Sequence, residues 1–148
     1  LLAKSLKLSL AESCTGGLLS SLLVSNAGSS NYYPGGVISY SNEIKESLID
    51  VSSDTLNKFG AVSAECASEM AKGVRRKFNS DISISVTGIA GPDGGSEEKP
   101  VGTFYIGLAD KNSVISKKCF FFDKRNRFQM YAAYTALNFL RNYIEENS

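Results

Sequence analysis

Two hydrophobic periods meet near residue 80, and they limit what this chain can become. Ala64, Ala67, Met70, Val74 and Phe78 recur at helical spacing behind Ser63, a natural N-cap, with Glu65 in the first turn and Arg75-Arg76-Lys77 at the negative C-terminal end. Residues 81–86 then read Asp-Ile-Ser-Ile-Ser-Val, the period-two alternation of a strand. A Gly/Pro-rich loop follows over 87–100. An amphipathic helix running straight into a strand requires a sheet with helices laid against it.

The remaining segments extend that pattern. Residues 8–11 are a short apolar run that predicts a buried strand, 12–17 a polar turn ending in glycine, and Leu18, Leu19, Leu22 and Leu23 a helix broken by 26–30. A strand is expected over 37–40, a helix from Asn42 to Ile49, and a shorter one capped by Ser53 and ending at Gly60. Residues 101–109 and 114–122 read as two strands of a hairpin. Phe128, Tyr131, Ala132, Thr135, Phe139, Leu140 and Tyr143 mark a long last helix, and residues 1–7 the tail of a first one. The class is α/β with a mixed sheet, and 148 residues without repeat or linker suit one domain, 1–148.

Composition removes whole classes of chemistry. The chain has no histidine, so it contains no Ser-His-Asp triad and no His-ligated metal. Cys14, Cys66 and Cys119 are odd in number and form no CxxC, which argues against a thiolate metal site and fits reduced thiols in a cytoplasm. A formal net charge of +1 gives no reason to expect nucleic acid as a partner. No apolar run approaches the roughly 18 residues of a bilayer span, and the start lacks signal-peptide features. It also lacks an initiating Met, so the chain is expected to begin inside an N-terminal helix or a longer protein.

Two loops carry more small and polar residues than turns need. Glu12-Ser13-Cys14-Thr15-Gly16-Gly17 joins a strand to a helix. Ser13 is a candidate nucleophile there, with backbone N–H groups at the helix start available to an oxyanion or a phosphate; plain capping by Ser13 or Thr15 is the alternative. Thr87-Gly88-Ile89-Ala90-Gly91-Pro92-Asp93-Gly94-Gly95 leaves the C-terminal end of a strand, where ligands bind in open α/β sheets; a flexible surface loop is the alternative. With no histidine, a desolvated lysine is one candidate base. Lys45 follows Tyr40 and Asn42 closely, although a solvated helix lysine has the same local pattern. Cys14 fits a buried filler better than a nucleophile, Asp93, Glu97 and Glu98 fit solvated acids better than a cation site, and Ser96-Glu97-Glu98-Lys99 is a chance Ser-x-x-Lys match. Arg125 and Arg127 open the last helix, either to reach a phosphate or simply to face solvent.

Taken together, AESCTGGLLS at 11–20, GSSNYYPGGVISYSNEIKESL at 28–48, GAVSAECASEMAKG at 60–73, DISISVTGIAGPDGG at 81–95 and KPVGTFYIGL at 99–108 resemble one family over nearly the whole chain. It is that of the C-terminal domain of the competence/damage-inducible protein CinA, also found alone as nicotinamide-nucleotide amidase. The resemblance implies a three-layer α/β/α sandwich with a mixed, mostly parallel sheet. It implies hydrolysis of the carboxamide of nicotinamide mononucleotide to nicotinate mononucleotide and ammonia, without a cofactor or metal. By resemblance the site holds Ser13, Thr15, Gly16 and Gly17 of the first motif, Tyr40, Asn42 and Lys45 of the second, and Thr87, Gly88, Ala90, Gly91 and Pro92 of the fourth. The expected mechanism has Ser13 attacking, Lys45 as base, Tyr40 orienting it or relaying its proton, and N–H groups near Thr15 and Gly16 holding the oxyanion. Direct attack by an activated water, with Ser13 only binding, is the other route.

One segment departs from the pattern. The family reads Gly-Asp-Arg, then Val-Arg, before its last helix, whereas this chain has Asp123-Lys124-Arg125, then Phe128-Gln129. Only Arg125 matches cleanly, with Arg127 a possible substitute for the second arginine. That leaves a non-catalytic nucleotide-binding module as the alternative function. A damage-response or DNA-uptake role, suggested by the family name, is disfavoured by the near-neutral charge. The aromatic last helix would supply a homo-oligomer interface or simply pack on the core.

Overall fold

A computed structural model describes residues 1–147. Its five-stranded sheet has the order β2-β1-β3-β4-β5. The strands are β1 (Leu8–Glu12), β2 (Gly35–Ile38), β3 (Ile82–Gly88), β4 (Thr103–Ala109) and β5 (Val114–Phe120). β1 pairs parallel with β2 and β3, while β3–β4 and β4–β5 are antiparallel. Every strand except β4 therefore points the same way, giving a mixed, mostly parallel sheet. Helices α1 (Leu18–Val24) and α5 (Arg125–Glu146) cover one face. Helices α2 (Asn42–Ile49), α3 (Ser53–Phe59) and α4 (Ala64–Phe78) cover the other. The fold is the expected α/β/α sandwich.

Strand β3 explains how the two layers differ. Ile82, Ile84 and Val86 point into the larger apolar core with Leu8, Leu10, Phe104, Ile106 and Phe128, where Phe104 and Phe128 meet edge to face at 5.5 Å. The alternate serines are just as buried, beneath α4. Ser83 Oγ donates to the Ala71 carbonyl at 2.7 Å and Ser85 Oγ to the Ala67 carbonyl at 2.5 Å. Small hydroxyls let α4 lie close to the sheet while satisfying its carbonyls. Gly107, beside Ser85 on β4, leaves no room for a Cβ against the Ala67 carbonyl.

Local boundaries follow cap chemistry. Ser41 and Ser52, not Asn42 and Ser53, cap α2 and α3, each accepting from the N–H three residues on; Ser63 caps α4 as expected. β2 sits earlier than the expected 37–40, at Gly35–Ile38. Residues 1–7 contain only a single tight turn, Leu2–Lys4. On α5 the buried stripe is Phe128, Ala132, Ala133, Ala136 and Leu140, while the partly exposed Tyr131 packs at its margin, stacked on Phe121 at 4.0 Å and edge to face with Phe104 at 6.2 Å. No helix among the described residues is long and apolar enough to cross a membrane.

Candidate active site

The C-terminal ends of β1 and β3 open into a cleft of about 270 Å³. β2 and β3 flank β1, and the connections β1-α1-β2 and β2-α2-α3-α4-β3 run over opposite faces, so loops from both layers converge there. Ser13 stands at the tip of β1, its N–H donating to the Val86 carbonyl at 3.0 Å. Lys45 rises from the first turn of α2 and is 1% exposed. Its Nζ lies 3.2 Å from Ser13 Oγ, 2.8 Å from the Ser39 carbonyl and 3.1 Å from the Tyr40 carbonyl.

The surroundings of Lys45 work against its charge. Burial pushes its pKa below the usual 10.5. The ion pairs among the described residues do not include it, so no carboxylate holds its charge. Lys45 Nζ donates to all three acceptors, the two carbonyls and Ser13 Oγ, which match the three N–H bonds of the charged amine; once deprotonated it keeps the two carbonyls and has a lone pair to turn to the Ser13 hydroxyl. Burial also pushes the neighbouring Cys14 thiol up to about 12 and Cys66 to about 11, so both stay protonated near neutrality. Cys14 is buried beside the candidate nucleophile, in keeping with a filler role.

The start of α1 is organised by a residue to which sequence reasoning gave no role. Glu12 is 1% exposed at the end of β1. Its carboxylate accepts from the N–H groups of Gly17, Leu19 and Ser20 and from the hydroxyls of Thr15 and Ser20, all between 2.6 and 3.1 Å. This internal anion occupies the helix N-terminus. Thr15 and Gly17 therefore serve Glu12, and the Gly16 N–H goes to the Ser13 carbonyl at 3.1 Å. None of the three lines the cleft. The helix-start phosphate site considered from sequence is filled by the chain itself. The signal was an acidic residue closing a mostly apolar strand, six positions before the helix begins.

The other candidates divide. Tyr40, Asn42, Thr87, Gly88, Ala90, Gly91 and Arg125 all line the cleft with Ser13 and Lys45. Thr87 Oγ1 donates to the Ala61 carbonyl at 2.8 Å, tying β3 to the start of α4. Arg125 bridges two walls, donating through Nη1 to the Gly91 carbonyl at 2.8 Å and through Nη2 to the Tyr40 hydroxyl at 2.9 Å. The Tyr40 phenol thus meets Arg125, whereas its main-chain carbonyl meets Lys45. Arg127 lies outside the cleft, exposed and paired with Asp123 at 3.4 Å; on a helix, the step of two residues from Arg125 turns it away. Gln129 was singled out only as a departure. Its Nε2 reaches from α5 to the Cys14 carbonyl at 2.9 Å.

Comparison with known proteins shows the family. The family model described as the CinA C-terminal domain matches residues 1–144. A CinA-like protein of Dictyoglomus thermophilum is 48% identical over 138 residues, covering 93% of this chain and 34% of the relative. A CinA-like protein of Microcystis aeruginosa is 53% identical over 140 residues, 93% of this chain and 34% of the relative. The chain thus spans about a third of these curated relatives. Among solved structures, the competence damage-inducible protein A of Klebsiella pneumoniae superposes with a TM-score of 0.94 at 33% identity, covering 97% of this chain and 89% of that one. A competence/damage inducible protein of Agrobacterium tumefaciens gives 0.91 at 38% identity, covering 95% and 86%. The family model, the relatives and the superposed structures concur: the chain belongs to the CinA C-terminal domain family.

Proposed function

We propose that this domain is an amidohydrolase that converts nicotinamide mononucleotide to nicotinate mononucleotide and ammonia, with Ser13 as nucleophile and Lys45 as general base. The observation that carries the reading is the buried amine, held by two carbonyls and placed 3.2 Å from a serine hydroxyl at the floor of a cleft. Ser13 Oγ attacks the carboxamide carbon while its proton passes to Lys45 Nζ. The C–N bond then breaks and Lys45 returns that proton to the departing nitrogen, releasing ammonia. Water, deprotonated by the same amine, cleaves the resulting ester and restores Ser13. The oxyanion falls to the Thr15 N–H, which has no acceptor among the described residues. Tyr40 orients Lys45 through its carbonyl, not through a phenol relay. Arg125, Asn42 and the 87–91 segment bind the nucleotide, with Arg125 meeting the phosphate.

The test is ammonia release from nicotinamide mononucleotide by the purified domain and by Ser13→Ala, with and without a chelator. Release that survives chelation and disappears in the variant supports the reading. Release unchanged in Ser13→Ala removes Ser13 from the nucleophile role and favours direct attack by water. No release from folded protein that still binds the nucleotide supports a non-catalytic binding module, the function to which the altered 123–129 segment points.

A further inference from the structure

We propose that Gln129 is a positioning residue for the oxyanion site: by holding the Cys14 carbonyl it sets the direction of the Thr15 N–H. The proposal rests on the Ser13–Lys45 reading of the site and deepens it. The turn after Ser13 is pinned at both ends by main chain, with Ser13 N–H on Val86 and Gly16 N–H on the Ser13 carbonyl. The Cys14–Thr15 peptide lies between those pins. On its carbonyl side it has one partner, the Gln129 amide at 2.9 Å. A carbonyl can only accept, so the amide presents its NH2 there. In a trans peptide the C=O and the N–H point in opposite directions. Fixing one therefore fixes the other.

The N–H so fixed has no acceptor among the described residues, in a residue only 3% exposed. Few buried backbone donors are left unpaired without a reason. Thr15 does not line the cleft but directly follows Cys14, which does, and a donor two residues past the nucleophile at a strand-to-helix turn is the proposed partner of the charge that develops on the attacked carbonyl. The Thr15 side chain cannot take over the orienting role, because its hydroxyl is engaged by Glu12 at 2.7 Å. The longer reach from α5 is what holds this peptide plane.

The experiment compares Gln129→Met and Gln129→Glu, which remove the donor at similar size, with Gln129→Arg, which keeps an N–H in reach. Two rates are read: kcat for ammonia release from nicotinamide mononucleotide, and labelling of Ser13 by an alkyl fluorophosphonate, followed by intact-protein mass. Labelling passes through an oxyanion at the same serine and needs no nucleotide. Both rates should fall by roughly 10- to 100-fold in the Met and Glu variants. KM should stay within about twofold, and Arg should restore the rates to within about threefold. A structural role alone would lower melting temperature without separating kcat from KM. Equal labelling rates in wild type and Gln129→Met overturn the proposal, as does a wild-type serine that never labels. Slowed labelling in Gln129→Met, with no turnover of nucleotide by wild type, refutes the substrate assignment and leaves the positioning role standing.

Discussion

Replacing Lys45 with methionine tests the buried amine independently of turnover. The side chain is 1% exposed, and burial holds its pKa below the usual 10.5. Between the folded and unfolded values the unfolded chain binds the extra proton, so wild-type stability rises with pH through that window. Below the folded value both states are protonated and the full cost of burying the charge remains. Each unit of depression corresponds to about 1.4 kcal/mol, which for a domain near this size is roughly 3–6 °C in Tm. Lys45→Met carries no such dependence. It instead leaves the Ser39 and Tyr40 carbonyls without their donor, at about 1–3 kcal/mol each and independent of pH. The wild-type Tm minus the variant Tm should therefore climb as the pH rises through the depressed value towards 10.5, measured by calorimetry at matched ionic strength. Groups that titrate alike in both proteins cancel in the difference. A flat or falling difference would refute the claim that Lys45 is held towards neutrality. On the proposed reading, kcat should also fall about 10²- to 10⁴-fold in the variant.

Three further outcomes follow from particular contacts. Glu12→Gln turns one acceptor into a donor facing other donors, so a loss of about 3 kcal/mol is expected; a wild-type melting curve would contradict the capping role. Gly73→Ala drives a Cβ into the Ile49 carbonyl where α4 crosses the end of α2, and should cost about 3 kcal/mol or force α2 outward; thermal denaturation reads it. Arg125→Ala should raise KM for the nucleotide about tenfold, whereas Arg127→Ala, which loses only an exposed ion pair, should leave KM within about twofold; steady-state kinetics with equal effects would break the distinction.

The fold was legible where one local rule dominated. The stripe after Ser63 and the alternation at 81–86 each follow a single period, and both elements stand within two residues of expectation. The caps expected at Asn42 and Ser53 each fell one residue late, because the serine before them, Ser41 or Ser52, caps as well and only the fold decides which position carries extended backbone. The site was legible as residue types and opaque as partnerships. Ser13 and Lys45 lie 32 residues apart in sequence, and their meeting depends on β2 returning parallel beside β1. The start of α1 offered donors that any anion would satisfy, and local pattern does not distinguish a ligand from an internal carboxylate. Arg127 and Gln129 illustrate the last limit. Both were visible on the helix, yet which one reaches inward depends on the rotation of α5 against the sheet.

The support beneath Lys45 has a genetic consequence. Both acceptors on its amine, apart from Ser13, are main-chain carbonyls of consecutive residues leaving β2. Every amino acid supplies that oxygen, so missense changes at 39 or 40 can alter the side chains without deleting the acceptors. Selection at those two codons therefore acts through what their side chains do, the full burial of Ser39 and the Tyr40 hydroxyl that accepts from Arg125, and not through the lysine's acceptors.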